Sequence, residues 1–206
     1  MIKPQKTIKV RLTFTQSLLG GSPANEDVYR DFIGSKAPDA KTVEDELRYL
    51  KVDDVVEKGK TIFPKMDDGT PVLFDNHIKG FFKSACGYLK KVSGTESSKI
   101  KAYKKEIDGL IFIKGEIADE KILPIKNYGE IKELQRPLRA QTMQGERVSL
   151  AISEEIDPGC YVEFTIELLK KEHEPVVREW LDYGEYSGIG QWRNASHGRF
   201  TWEEID

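Results

Sequence analysis

The stretch TIKVRLTFT, residues 7–15, sets Ile8, Val10, Leu12 and Phe14 against Lys9, Arg11, Thr13 and Thr15. Strict alternation of this kind marks a strand with one face in a core and the other, here polar and basic, toward solvent. The strand runs into Leu18-Leu19-Gly20-Gly21-Ser22-Pro23, which reads as a turn carrying the chain away from the sheet. The next strong signal is helical. Asp75 or Asn76 can cap a helix over residues 78–92, with Ile78, Phe81, Phe82, Ala85, Cys86 and Leu89 on one face. Lys79, Lys83, Lys90 and Lys91 occupy the other. Residues 93–103 read as a polar loop or frayed helix, 107–113 as a strand, and 114–133 as an irregular connection. Residues 147–153 and 160–169 read as strands joined through Asp157-Pro158-Gly159 into an antiparallel hairpin. A second amphipathic helix is expected over 176–186, with Val176, Val177, Trp180 and Leu181 inward, and 199–205 closes the chain as a strand.

Residues 24–64 contain helix-cap candidates (Asn25, Asp39, Thr42) but too few apolar side chains for a core of their own. They are expected to form a helical insertion after the first strand. The remainder is strand, helix, strand, strand, helix, strand. This is an α+β, ferredoxin-like or RRM-like βαββαβ order with an added β-hairpin, in one domain over residues 1–206. The expected core packs Ile78, Phe82, Cys86, Leu89, Val177 and Leu181 on Val10, Leu12, Phe112, Phe164 and Ile166.

The 206 residues carry a net charge of −3, with 38% hydrophobic and 33% charged side chains, as expected of a polar globular protein. A sequence-blind polycation coat for DNA is excluded by that balance. The charge is nevertheless segregated, with eight lysines and one glutamate between Lys79 and Lys105. The two cysteines, Cys86 and Cys160, form no metal-ligand spacing, and no metal or organic cofactor is implied. Without an apolar run of membrane-spanning length, or a signal-like start, the expected location is cytoplasmic, away from membranes. His173, in a charged turn, is expected to be solvated.

Two further segments carry binding chemistry. GEYSGIGQWRNASHGRF, residues 184–200, places Gly188, Gly190, Trp192, Arg193, His197 and Arg199 together. Glycines free the backbone for close approach, arginines grip phosphates, and an indole or the ring of Tyr186 can stack on a base. QRPLRAQTMQ, residues 135–144, adds Arg136 and Arg139. The same glycines equally fit a structural turn.

In this order, the stretches resemble the RAMP superfamily, the RRM-like proteins of CRISPR-Cas effector complexes, and most of all their backbone subunits. The first strand with its LLGG turn is similar to the superfamily's opening. FDNHIKGFFKSAC, residues 74–86, is similar to its first helix. Residues 147–166, including EEIDPG, resemble its hairpin, and 188–200 its C-terminal glycine-rich loop. Ser196 departs from that pattern, standing where a glycine of the final G-x-G is common. The resemblance extends to a phage-borne or orphan relative.

It implies a non-catalytic protein that binds RNA or another single-stranded nucleic acid through Lys79, Lys83, Lys90, Lys91, Arg136, Arg139 and the glycine segment. Other CRISPR-type subunits or further copies of itself would be its protein partners. Two alternatives stay open: a protein-interaction factor that mimics such a subunit, and a metal-independent endoribonuclease using His77 or His197. Asp27 and Asp31 lie in the region where RNA-cutting members carry an aspartate, without matching its surroundings.

Overall fold

Ile8, Val10, Leu12 and Phe14 are at most 1% exposed, so the alternation of the first strand does define a core face. This computed structural model describes residues 2–24, 60–142 and 145–206, with the side chains of residues 137–150 left outside that description. The expected insertion therefore lies largely outside the described residues. Its last part, Lys60–Ile62, is a strand.

The architecture is mixed α+β. Strand β1 (Lys6–Phe14) leads to two short strands, β2 (Leu18–Leu19) and β3 (Ser22–Pro23). Then come β4 (Lys60–Ile62), β5 (Val72–Phe74) and helix α1 (Asp75–Leu89). Helix α2 (Tyr103–Leu110) precedes β6 (Ile111–Lys114), β7 (Ile122–Pro124), β8 (Lys132–Thr142) and β9 (Gly145–Ile156). Strand β10 (Tyr161–Leu168), helix α3 (Glu174–Asp182) and β11 (Phe200–Glu204) complete the chain. One sheet has the order β11-β1-β10-β6, antiparallel throughout. A second runs β2-β9-β4-β3 with β8 alongside β9, and β5 and β7 form a separate pair.

Helix α1 buries Ile78, Phe81, Phe82, Ala85 and Cys86, the i, i+3, i+4, i+7, i+8 set that faces one way on a 3.6-residue period. Gly94 at φ 87° ends the turn beyond it, and the Thr95 hydroxyl lies 2.9 Å from the carbonyls of Leu89 and Val92. Pro175 opens α3, where a missing N–H costs nothing. The two helices meet at Phe82 and Trp180, whose rings are 5.4 Å apart. A polar clamp sits beside them. The Glu179 carboxylate accepts from the Glu96 and Ser97 N–H groups and the Ser97 hydroxyl, while Trp180 Nε1 donates to Ser97 Oγ at 2.9 Å.

Several expectations are corrected. Residues 103–110 are helical, because Tyr103 and Ile107, four apart, pack one face of α2 on the core. The strand begins only at Ile111, and Ile111 and Ile113 face inward while Phe112 is 36% exposed beneath the Lys79 ammonium. Strands β9 and β10 do not pair with each other. The Asp157-Pro158-Gly159 turn passes the chain between sheets, and the hairpin is β8–β9. Leu18-Leu19 does not leave the sheets: it is a buried strand on β9. His173 is buried, with Nε2 2.9 Å from Glu106 Oε2. The second helix ends at Asp182 and tightens into a 3-10 turn.

The polar face of β1 is locked into paired charge. Glu163 on β10 has a side chain 10% exposed, 2.6 Å from Arg11 and 2.5 Å from Lys126; Glu116 joins Lys9 and Lys126. Burial pushes the Glu163 carboxyl toward protonation, but hydrogen bonds from Lys126 and Arg11 outweigh it and hold its pKa below the usual value. A lowered folded-state pKa means stability present above the unfolded value, about 4.3 for glutamate, and lost as pH falls through the folded one. Thermal unfolding between pH 7 and pH 3 should show that loss. Glu163→Gln should destabilise by about 1–3 kcal/mol at pH 7 and flatten the acid limb. An unchanged acid limb in the variant would remove Glu163 from the account.

Candidate nucleic-acid interface

Segment 184–200 is shaped by its glycines. A Cβ on Gly184 would lie 2.3 Å from the Phe200 ring, and one on Gly188 would lie 2.1 Å from the His197 carbonyl oxygen. Gly190 and Gly198 have φ of 90° and 70°, beyond the range comfortable for L-residues. Ser196 has φ 72°, so the departure from glycine at that position leaves the left-handed conformation in place.

Hydrogen bonds pin the segment to the β1–β2 link. Gly198 N–H donates to the Ser17 carbonyl at 2.8 Å and Thr15 N–H to the Arg199 carbonyl at 2.8 Å, while within the segment Ile189 N–H donates to the Gly198 carbonyl at 3.0 Å. Gly190 packs so closely on Leu19 that a Cβ would meet its carbonyl oxygen at 2.8 Å. The LLGG turn and the C-terminal segment are thus neighbours in space. Gly20 itself packs on the backbone of Ile62, 2.4 Å from where its Cβ would be.

Between these anchors a 3-10 turn, Arg193–Ala195, stands at the surface. It borders an open cleft of about 460 Å³ lined by Arg136 from β8 and by Gly190, Gln191, Trp192, Arg193, Asn194, Ala195 and His197. The Trp192 and His197 rings meet edge to face, 6.1 Å between centroids. Arg136 and Arg193 are exposed, and neither is paired with a carboxylate among the described residues. Arg11 and Arg178 are both neutralised, by Glu163 and Glu203 in one case and by Glu174 and Glu204 in the other. Two unneutralised guanidinium forks beside an aromatic face can take a phosphate and a planar group together.

The other expected residues fall elsewhere. Lys79 lies over the Phe112 ring at 5.0 Å, Lys83 pairs with Asp108 at 2.6 Å, and Lys90 lies over Tyr103 at 5.3 Å. These contacts draw the lysine row toward β6 and α2, whereas the cleft adjoins the approach to β11 at the opposite edge of the sheet. Lys91 is exposed on the same helix end. The Arg199 Nε is buried without a hydrogen-bond partner, and its carbonyl holds the β1 end. Gly188 and Gly198 serve close packing. The side chain of Arg139, with Asp27 and Asp31, lies outside the described residues. His77 accepts a hydrogen bond from the Phe74 N–H at 3.2 Å at the start of α1 and does not line the cleft. Gln191 and Asn194 were missed as lining residues; their only signal was polarity within the same segment.

Among the described residues, no three His, Cys, Asp or Glu side chains gather as a metal site, and no helix is long and apolar enough to cross a membrane.

No protein-family model and no curated protein matches the chain. Among solved structures it is similar to one chain of the cryo-EM structure of Type III-B Cmr-beta bound to cognate target RNA, at 12% identity and a TM-score of 0.51. The match covers 97% of this chain and 58% of that chain, so this protein spans little more than half of its neighbour's length. At that identity the likeness is one of fold.

Proposed function

We propose that this protein binds single-stranded RNA without cleaving it, as a relative of the RRM-like subunits of CRISPR effector complexes. The observation that carries this reading is the convergence of Arg136 with Trp192, Arg193 and His197 on one open cleft, from segments about fifty residues apart in the chain. Electrostatics favour an anionic ligand, since both guanidinium groups lack an internal counter-charge among the described residues.

The sheet order β11-β1-β10-β6, with α1 and α3 as the long-range connections, fits the ferredoxin-like βαββαβ plan. The similarity to a chain of an RNA-bound Cmr-beta assembly supports the same reading and makes other subunits of such an assembly candidate partners. The open sheet face is occupied by the Arg11–Glu163–Lys126 charge lattice and not by a row of unpaired aromatics. RNA is therefore assigned to the cleft and not to that face. Lys79, Lys83 and Lys90, engaged within the fold, are secondary contacts at most.

Titrating a labelled single-stranded RNA into wild type and into Arg136→Ala and Arg193→Ala tests the assignment. Each variant should lose roughly 1–3 kcal/mol of binding, as for a charge-assisted hydrogen bond, with the melting temperature nearly unchanged. Variants that melt earlier but bind as wild type would make the arginines structural.

A further inference from the structure

Trp192 occupies a backbone position that suits glycine. Its φ of 50° and ψ of 39° lie in the left-handed region, where a bulky L-residue is strained. The Trp192 carbonyl accepts the Ala195 N–H at 2.8 Å and so opens the 3-10 turn, a backbone bond that any residue at this position could make and that does not call for an indole. The indole is only half-buried, and its ring contact is an edge against His197 at 6.1 Å. The other two tryptophans have satisfied N–H groups, Trp180 on Ser97 Oγ at 2.9 Å and Trp202 on Asp182 Oδ1 at 2.7 Å. The Trp192 N–H has no such acceptor among the described residues. A strained aromatic thus lines the same cleft as two arginines that have no carboxylate partner among the described residues, the kind of local strain that persists at ligand sites.

We infer that Trp192 is the stacking platform for one unpaired base, with the flanking phosphates held by Arg136 and Arg193. The inference rests on the RNA-binding reading above and narrows it to single strands that present a base outside any helical stack. A cleft of about 460 Å³ falls within the roughly 300–1,000 Å³ of small-molecule sites, and every base has a π-face that an indole can cover. In a duplex both faces of each internal base are already covered.

The test is a two-by-two comparison at fixed low salt: wild type and Trp192→Gly, each against an oligouridylate of about ten nucleotides and its wholly abasic counterpart. Wild type should prefer the base-bearing strand by roughly 5- to 150-fold, the range for one base stacked on an aromatic. Trp192→Gly should bind both strands alike, near the level of wild type on the abasic strand, without a lowered melting temperature. Trp192→Tyr should restore the preference. Equal wild-type affinity for the two strands, which needs no variant to fold, overturns the inference and leaves RNA binding standing. A preference that survives in Trp192→Gly also overturns it, by placing the base elsewhere. Failure of wild type to bind either strand removes the RNA reading itself.

Discussion

Replacing Phe82 by alanine is expected to lower the stability of the protein by about 3–5 kcal/mol, the range for removing a fully buried aromatic. Phe82 is 0% exposed and sits where α1 meets α3, its ring 5.4 Å from Trp180 and 6.2 Å from Phe81. The hole would open between α1 and α3, next to Phe81, whose ring in turn reaches Phe200 at 5.1 Å. Dense aromatic packing leaves little room for collapse into that hole, which places the cost toward the upper end. For a chain of this size the melting temperature should fall by roughly 6–20 °C. Circular-dichroism melting measures it, and a loss below about 1 kcal/mol would mean that α1 is not packed as described.

The second large effect belongs to Gly198. A Cβ there would lie 1.9 Å from the Ile189 carbonyl oxygen, on a backbone with φ 70°. Neither backbone can yield without breaking the Ile189 N–H bond to the Gly198 carbonyl, at 3.0 Å, or the Gly198 N–H bond to Ser17. Gly198→Val should therefore cost about 3 kcal/mol or more and abolish RNA binding through loss of the cleft. Gly21→Ala is the matched control. No heavy atom beyond its own chain neighbours lies within 4 Å of its Cβ position, and the change should stay within about 1 kcal/mol of wild type. If Gly198→Val melts like Gly21→Ala, the close approach of the two backbone segments is absent in solution.

Periodicity was legible in the chain where one face is buried. The alternation of residues 7–15 and the helical spacing from Ile78 to Cys86 are local patterns, and the structure carries both. Pairing partners were not legible. The Asp157-Pro158-Gly159 turn has hairpin chemistry, yet β9 finds β8, β2 and β4 instead of β10. A turn fixes direction over a few residues, while the choice of partner depends on strands far away in sequence. Helix α2 was hidden because Ile107 and Ile111 are β-branched and local propensity favours strand there; burial of Ile107 decided otherwise. In the cleft, residues 184–200 were visible by composition and Arg136 by its basic segment. Their meeting depends on β8 lying beside β9, which joins β2 under the glycine segment. The glycines looked equally suited to a ligand or to a tight turn, and the contacts of Gly184, Gly188 and Gly198 favour the turn.

The salt dependence of single-stranded RNA binding tests the central claim, that RNA is held by the Arg136–Arg193 cleft, most directly. Each phosphate contact contributes about −0.7 to the slope of log affinity against log salt on a single strand. The Arg136→Ala, Arg193→Ala double variant should therefore bind with a slope shallower than wild type by about 1.4, whereas Lys83→Ala, Lys90→Ala and Lys91→Ala together should leave most of the slope in place. An unchanged slope in the arginine variant, with a flattened one in the lysine variant, would move the RNA to α1 and contradict the assignment of the cleft.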